Sequence, residues 1–390
     1  MRTHKIMVVD DEPDLQMLIL QKFRKKIHDD DYEFHFAENG QEALDKLNGS
    51  TDISLVLSDI NMPKMDGLTL LQKLQEKNDQ ALKTVIVSAY GDMENIRTAM
   101  NRGAFDFVTK PIDFNDLETT IEKSLKEISY IREHQKQKNI LTAVQQDLNT
   151  AARIQQKILP QDFPAFPART EFSVYAEMHT AKEVGGDFYD FFFIDDTHLS
   201  FVIGDVSGKG VPASIYMAVS RTMLKAIASQ IHDPAECLQT VNAMLIPESD
   251  ISTFVTVFYG VLDTETGAIN YCNGGHNLPY IARKNGLVEQ IENTDGLLLG
   301  KIEGIQYQSK QIQLNPNEKI LLYTDGLTEA LNEHSEFYEE ERVEAYLENH
   351  SNISEEKLLR GLVVDVLKFM NKAHQSDDIT LLVLEYLGQK

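Results

Sequence analysis

Short apolar runs alternate with amphipathic segments over the first 125 residues. The amphipathic segments that follow the first two runs, Asp14–Lys26 and Gly40–Asn48, have the length and polarity of surface helices. Alternating strands and helices predict an α/β domain with a doubly wound parallel sheet, whose site lies at the carboxyl ends of the strands. The apolar runs are Lys5–Val9, Glu33–Ala37, Ile53–Ser58, Thr84–Ser88 and Ala104–Thr109.

Polar residues stand at the ends of these predicted strands. Asp10 and Asp11 follow the first run and Asp59 ends the third, while Ser88 and Lys110 end the last two. A single acid in such a loop is common and indicates little by itself. The set becomes specific when it is combined with three further short motifs, which are Asn61-Met-Pro63, Asp66-Gly67 and Lys110-Pro111.

Together these residues resemble the receiver domain of two-component response regulators. The resemblance implies that Asp59 accepts a phosphoryl group and that Asp10, Asp11 and Asp59 bind Mg²⁺ with the carbonyl of Asn61. It also implies a cis Lys110–Pro111 bond and a sensor histidine kinase or phosphotransfer protein as the phosphoryl donor. The switch residues that it implies, which respond to the phosphoryl group, are Ser88, Phe107 and Lys110.

A segment without proline or glycine follows, from Leu117 to Leu159. Apolar and small residues recur there at alternating spacings of three and four, which is typical of a coiled-coil seam. The two halves of the pattern disagree in register across Gln135–Lys138, as at a stutter. The pattern favours a parallel dimeric coiled coil, and a single amphipathic helix folded onto the next domain is the alternative. The first half comprises Ile121, Ser124, Ile128 and Ile131, and the second Leu141, Val144, Leu148, Ala151, Gln155 and Ile158.

In the last 230 residues, four acids stand beside apolar strands. Asp205 follows the apolar run Phe201–Gly204, and a glycine-rich turn comes after it. A helix is predicted to begin near Val211. The other three are Asp187 after a double glycine, Asp325 after Ile320–Thr324, and Asp377 before the last apolar run. If the four carboxylates converge, each pair at about 4.5 Å repels by about 4 kcal/mol at an effective dielectric of 20, so that cations are needed. Hard oxygen ligands of this kind suit Mg²⁺ or Mn²⁺.

Residues from about 150 to 388 resemble the bacterial metal-dependent serine/threonine phosphatases of the PPM family, of the type that regulates sporulation and stress sigma factors. The motifs occur in family order and are Ala151–Pro160, Phe254–Asp263, Tyr271–His276 and Leu297–Gly300. The implied fold is α+β, with two β-sheets between helical layers.

The phosphatase resemblance also implies roles for the acids. Asp205 would bridge two Mn²⁺ or Mg²⁺ ions, one of which would also contact the Val206 carbonyl. Asp325 and Asp377 would complete the second site, and Asp187 would act as a ligand directly or through water. The ions would activate a water for in-line attack on phosphorus. The implied substrate is a phosphoserine or phosphothreonine of an anti-sigma-factor antagonist, a STAS-domain protein.

Composition restricts the partners and the location. The net charge of −24 argues against nucleic acid, because no basic face is available to release counterions. The two cysteines, Cys237 and Cys272, are expected to be reduced, apolar core residues. Without a signal peptide or a long apolar run, we expect a cytoplasmic protein with no membrane contact.

The expected organisation is a receiver domain at residues 1–125, a helical coiled-coil linker at 126–160 that forms a homodimer, and a phosphatase domain at 161–390. His276 is expected to be structural rather than a ligand. The sequence also bears on two other function classes. A catalytically weak adaptor that binds a sigma-factor regulator would tolerate loss of the acids, yet all four are present. A DNA-binding regulator would need a helix-turn-helix, which the sequence after the receiver does not suggest.

Overall fold

The computed structural model describes residues 3–49, 52–89, 91–250 and 252–389. The chain divides into two compact units, residues 1–144 and residues 145–390. The division lies inside a long helix, Phe114–Ile158, whereas a separate linker at residues 126–160 is expected from the sequence. Among the described helices, none combines the length and apolar character that a bilayer span requires.

The first unit is built on a five-stranded parallel sheet, as the alternating pattern predicts. The strand order is β2-β1-β3-β4-β5, so the sheet is doubly wound. The strands are β1 His4–Val9, β2 Tyr32–Ala37, β3 Ile53–Asp59, β4 Lys83–Ala89 and β5 Asp106–Lys110. The helices are α1 Pro13–Lys22, α2 Arg24–His28, α3 Gly40–Gly49, α4 Gly67–Glu76 and α5 Met93–Asn101. The single helix predicted over Asp14–Lys26 is interrupted at Phe23, whose ring is buried in the core.

Helix α6 runs without interruption from Phe114 to Ile158. Its first turns pack on the parallel sheet, because Leu117, Ile121, Leu125 and Ile128 belong to one buried cluster with residues of β1, β3 and β4. The first half of the predicted coiled-coil seam is therefore the face by which α6 covers the receiver sheet. In the second half, Leu141 and Val144 are exposed.

The second unit contains two five-stranded sheets. The first has the order β13-β10-β9-β8-β7 and the second β12-β11-β14-β15-β6, and every pairing in both is antiparallel. The strands are β6 Phe172–His179, β7 Phe188–Phe193, β8 His198–Val206, β9 Val255–Asp263, β10 Ala268–Gly274, β11 Tyr280–Ala282, β12 Val288–Gln290, β13 Lys310–Gln313, β14 Glu318–Tyr323 and β15 Ile379–Tyr386.

Helices cover the outer face of each sheet. They are α7 Val211–Ala228 and α8 Pro234–Leu245 on the first sheet, and α10 Glu340–His350 and α11 Glu355–Met370 on the second, with a short helix α9 at Asp325–Thr328. Strand β15 shows why the layers form. Its alternate residues Leu382 and Leu384 enter the core between the sheets, while Leu381 and Val383 pack with α10 and α11. The predicted α+β architecture of two sheets between helical layers is confirmed.

Candidate functional site

The receiver acids meet at the carboxyl edge of the parallel sheet. Asp10, Asp11 and Asp59 each offer a carboxylate oxygen within 4.8 Å of the others. Asp59 is 7% exposed, and its Oδ1 accepts hydrogen bonds from the backbone amides of Ile60 at 2.6 Å and Asn61 at 3.4 Å. This is the only group of at least three acidic, histidine or cysteine ligands so tightly spaced in the described parts of the chain. Its oxygen-only donor set fits Mg²⁺.

Lys110 supplies the positive charge at this edge. Its Nζ lies 2.7 Å from Asp59 Oδ2, 3.0 Å from Asp10 Oδ2 and 3.1 Å from Glu12 Oε1. Burial alone would lower the pKa of Lys110, but the bonds to Asp59 and Asp10 outweigh it and raise the pKa. The Lys110–Pro111 peptide is cis, as the resemblance implies.

The two remaining receiver residues lie on neighbouring strands, Ser88 near the carboxyl end of β4 and Phe107 near the amino end of β5. Ser88 is fully buried and its hydroxyl donates a long hydrogen bond of 3.5 Å to Asp92 Oδ2. Phe107, in β5, is 37% exposed. Both positions pair within the sheet, Ser88 with Thr109 and Phe107 with Ile86.

In the second unit, the four predicted acids stand at the ends of four strands. Asp187 immediately precedes β7, and Asp205 lies near the end of β8, which pairs with β7. Asp325 follows β14 and Asp377 precedes β15, which also pair with each other. Each sheet therefore contributes two acids from adjacent strands.

Two close approaches of the backbone bring these strand ends together. A Cβ at Gly186 would lie 2.8 Å from the Val206 carbonyl oxygen. The Asp187 loop therefore packs closely against the end of β8. A Cβ at Gly326 would lie 2.0 Å from the Asp378 carbonyl oxygen. The Asp325 turn therefore packs closely against the start of β15. Glycine is needed at both positions because any side chain would collide with backbone.

The charges of neighbouring carboxylates raise the pKa values of the acids in this cluster. The pKa of Asp205 is raised to about 7, first by burial and then by the charge of Asp325, with Asp377 adding to it. The pKa of Asp187 is raised well above its ordinary value by burial and by the charges of Asp205 and Asp378. Burial and the charges of Glu329 and Asp377 raise the pKa of Asp325. Carboxylates in such an arrangement fit divalent cations, which would allow all of them to ionise.

Lys209, in the turn after Asp205, contacts the last of the four acids. Its Nζ lies 2.8 Å from Asp377 Oδ2 and also donates a hydrogen bond to the carbonyl of Ser376. The lysine therefore supplies a positive charge beside Asp377. Sequence analysis did not identify it, because the two residues are 168 positions apart.

Two polar residues around the acids were also not assigned a role from sequence. Thr324 is fully buried, donates a hydrogen bond of 2.7 Å to Asp187 Oδ2 and accepts one of 3.0 Å from the Thr380 amide. Asp378 accepts hydrogen bonds from the amides of Ala181 and Gly186, both at 2.8 Å. Asp378 thus holds the loop that precedes Asp187.

His276 and Glu183 lie outside the acid cluster. His276 is buried, with Nδ1 2.9 Å from Thr256 Oγ1 and Nε2 3.1 Å from the Tyr323 carbonyl oxygen. It therefore links β9 to the end of β14, in keeping with the structural role expected for it. Glu183 is exposed and accepts a hydrogen bond from Gln145.

Two family models match separate parts of the chain. The response regulator receiver domain matches residues 6–122, and Stage II sporulation protein E (SpoIIE) matches residues 195–387.

Relatives and a solved structure agree with these matches. Phosphoserine phosphatase RsbU of Bacillus subtilis is 27% identical over 273 residues, which cover 70% of this chain and 79% of RsbU. Protein IcfG of Synechocystis sp. is 27% identical over 266 residues, 61% of this chain but 41% of IcfG, so this chain spans less than half of that relative. The SiaA-PP2C domain of Pseudomonas aeruginosa has the same fold, with a TM-score of 0.57 and 20% identity over 63% of this chain and 98% of that domain.

The chain thus joins a response regulator receiver domain at residues 6–122 to a SpoIIE domain, a metal-dependent serine/threonine phosphatase domain of PPM type, at residues 195–387.

Proposed function

We propose that this chain is a response regulator in which phosphorylation of Asp59 controls hydrolysis of a phosphoserine or phosphothreonine on a partner protein. The observation that carries the proposal is that the four acids stand in pairs at the ends of adjacent strands, in a domain that the same chain joins to a receiver acid pocket. We place its action in the cytoplasm, in keeping with two free, buried cysteines, Cys237 and Cys272.

The phosphatase site would hold two divalent ions. Asp205 would serve both, with the Val206 carbonyl on one and Asp325 and Asp377 on the other, and Asp187 would act directly or through water. When bound, such ions supply an activated water and a positive clamp for the phosphate oxygens. The protein's own contribution is to fix these carboxylates on paired strands, so that little reorganisation accompanies the reaction.

The receiver site would take the phosphoryl group on the Asp59 carboxylate, with Mg²⁺ held by Asp10, Asp11, Asp59 and the Asn61 carbonyl. Lys110 already lies 2.7 Å from Asp59 Oδ2, where it can pair with the added phosphoryl oxygens. Ser88 and Phe107 would then move toward the phosphoryl group.

The proposed partners follow from the two domains. A sensor histidine kinase or phosphotransfer protein would donate the phosphoryl group to Asp59. The substrate would be a phosphorylated STAS-type anti-sigma-factor antagonist, since RsbU is named a phosphoserine phosphatase and the motifs resemble regulators of stress sigma factors. The exposed side chains of Leu141 and Val144 support a homodimer through the part of the helical seam that precedes Gln155.

Hydrolysis of an aryl phosphate by the full chain tests the proposal. Activity should require Mn²⁺ or Mg²⁺ and should rise when beryllofluoride, a phosphoryl mimic, occupies the receiver. The Asp59→Ala variant should keep basal activity but lose the response to beryllofluoride and incorporation of phosphate from acetyl phosphate. Labelling of that variant at the wild-type rate would show that Asp59 is not the acceptor, and hydrolysis without any divalent ion would refute the metal-dependent site.

A further inference from the structure

Lys209 lies in the turn that joins β8 to α7, four residues after the proposed metal ligand Asp205. We propose that Lys209 is a substrate-binding residue whose ammonium group contacts the phosphate of the phosphoserine or phosphothreonine. The inference rests on the proposed function of the four-acid cluster and deepens it, because it names a positive side chain of this chain that recognises the phosphate.

Two glycines flank Lys209 and give the turn its shape. The φ angle is +91° at Gly208 and +79° at Gly210, values that other residues rarely adopt. A Cβ at either glycine would meet no heavy atom within 4 Å apart from its neighbours in sequence. The turn around Lys209 therefore has open space on both sides, in which its long, flexible side chain can take more than one position.

The start of the turn is fixed by Ser207. Its amide donates a hydrogen bond of 3.0 Å to the Phe254 carbonyl. Its Oγ donates to the Ser252 carbonyl and accepts from the Phe254 amide, both at 2.9 Å. These three bonds tie the turn to the segment that enters β9. The reach of the Lys209 ammonium group is therefore set mainly by its own side chain.

The ammonium group of Lys209 lies beside the acids that are proposed to hold the second ion. Its Nζ is 2.8 Å from Asp377 Oδ2 and donates a hydrogen bond to the Ser376 carbonyl. Burial is the main cause of the raised pKa of Asp325, and the charge of Lys209 acts against it. Of the lysines and arginines in the described residues, Lys209 alone forms an ion pair with one of the four acids.

Both carboxylate oxygens of Asp377 have partners within the protein. Oδ1 accepts a hydrogen bond of 2.9 Å from the Asp378 amide, and Oδ2 pairs with Lys209. Ligation of a divalent ion by either oxygen would bring two further positive charges close to the ammonium group, which would be repelled. Lys209 would then leave Asp377 and require another anion within the length of its side chain.

The phosphate of a phosphoserine or phosphothreonine fits the released ammonium group. At neutral pH it carries between one and two negative charges on three acceptor oxygens, and an ammonium group offers three donors. The Lys209 side chain is 39% exposed, so a ligand from solvent can contact it. Charge-assisted hydrogen bonds of this kind are stronger than neutral ones. Lys209 would thus add its charge to the clamp that bound ions supply to the phosphate oxygens.

Three variants separate the charge of Lys209 from its shape. Lys209→Met keeps the apolar stem and removes the charge, whereas Lys209→Arg keeps a positive group with several donors. Lys357→Met is the matched control, because it makes the same chemical change on an exposed lysine of α11.

The test measures binding of inorganic phosphate to the full chain in saturating Mn²⁺, from the broadening of the phosphorus NMR resonance by bound Mn²⁺. Loss of a charge-assisted hydrogen bond should raise the dissociation constant of phosphate at least about tenfold in Lys209→Met. The inhibition constant of phosphate and kcat/KM for a phosphoserine peptide should worsen by a similar factor. Lys209→Arg should recover most of the affinity, and Lys357→Met should match wild type.

Mn²⁺ binding, followed by electron paramagnetic resonance, and thermal unfolding complete the comparison. Lys209→Met should bind Mn²⁺ at least as tightly as wild type, since the substitution removes a positive charge that competes for Asp377. Unchanged phosphate affinity in this variant would overturn the inference, because Lys209 would then be only a counter-charge to Asp377. Weaker Mn²⁺ binding with a lowered Tm and no recovery in Lys209→Arg would overturn it as well, because these changes indicate a structural role.

The same measurements separate this inference from the proposed function. If Lys209→Met does not fold, Lys209→Gln, which also removes the charge, takes its place in every comparison. A wild-type chain that binds no phosphate would overturn the inference. A wild-type chain that binds phosphate but hydrolyses no phosphate ester refutes the proposed function, whereas the comparison of phosphate binding still decides the role of Lys209.

Discussion

The buried histidine between the two sheets makes the stability of the phosphatase domain depend on pH in a defined direction. The Tyr323 carbonyl can only accept, so His276 Nε2 carries the proton and Nδ1 accepts from the Thr256 hydroxyl, a tautomer assigned from these partners. Burial lowers the pKa of His276 from 6.5 to about 4, although the bond to the carbonyl acts in the opposite direction. The fold therefore favours the neutral imidazole.

The size of the effect follows from that difference in pKa. A base whose pKa is lower in the folded protein contributes its full stability above pH 6.5 and loses it as the pH falls through about 4. The whole interval corresponds to about 3 kcal/mol of unfolding free energy, and about 2 kcal/mol of it is already lost at pH 5.

Urea unfolding of the phosphatase domain, followed in the full chain at pH 7.5 and pH 5, measures this loss. Other groups titrate over the same range, so the quantity of interest is the difference between wild type and His276→Gln. Glutamine can retain both hydrogen bonds but does not titrate. The loss on acidification should be about 2 kcal/mol smaller in the variant. Equal losses in the two proteins would refute the assignment of a neutral, buried His276.

Two further predictions concern the helix and the core. Insertion of two residues after Gln137 should rotate the following part of α6 by about 200° and uncouple hydrolysis from beryllofluoride. Insertion of seven residues, a full heptad, should largely preserve the response. Equal responses in the two insertion variants would argue against a helical relay. Lys319→Met should lower the unfolding free energy by about 3–5 kcal/mol in chemical denaturation, because Lys319 is buried 3.1 Å from Glu385, whose charge would be left unpaired. Lys357→Met, at an exposed position, should change it by less than about 0.5 kcal/mol, and a similar cost at both sites would contradict the buried pair.

The positions of the acids could be predicted because their signal is local. An apolar run that ends in a carboxylate identifies both a buried strand and the group at its end, as for Ile53–Asp59, which is strand β3 residue for residue. The same holds for β8, whose apolar residues precede Asp205. Parallel and paired strands then bring such ends together without any further information in the sequence.

The partners of helix α6 could not be predicted in the same way. Helical periodicity identifies a face of the helix but not the surface that the face covers, so Ile121, Ser124 and Ile128 fitted a coiled-coil seam although they are buried in the receiver unit. Gln155 fitted the same seam and instead bonds Gly185, which lies 30 residues away. Contacts between residues so distant in sequence depend on the packed fold, and a single sequence carries no local mark of them.

We propose that the four-acid cluster of the second unit is a metal-dependent site that hydrolyses phosphate esters. Turnover of a phosphoserine peptide by wild type and by Asp205→Asn, each in saturating Mn²⁺, tests it most directly, since asparagine keeps the shape of the side chain and removes the charge proposed to serve both ions. We expect Mn²⁺-dependent hydrolysis by wild type and a fall of at least about a hundredfold in the variant, with an unchanged Tm. Turnover by Asp205→Asn near the wild-type rate would show that Asp205 is not a ligand on which hydrolysis depends.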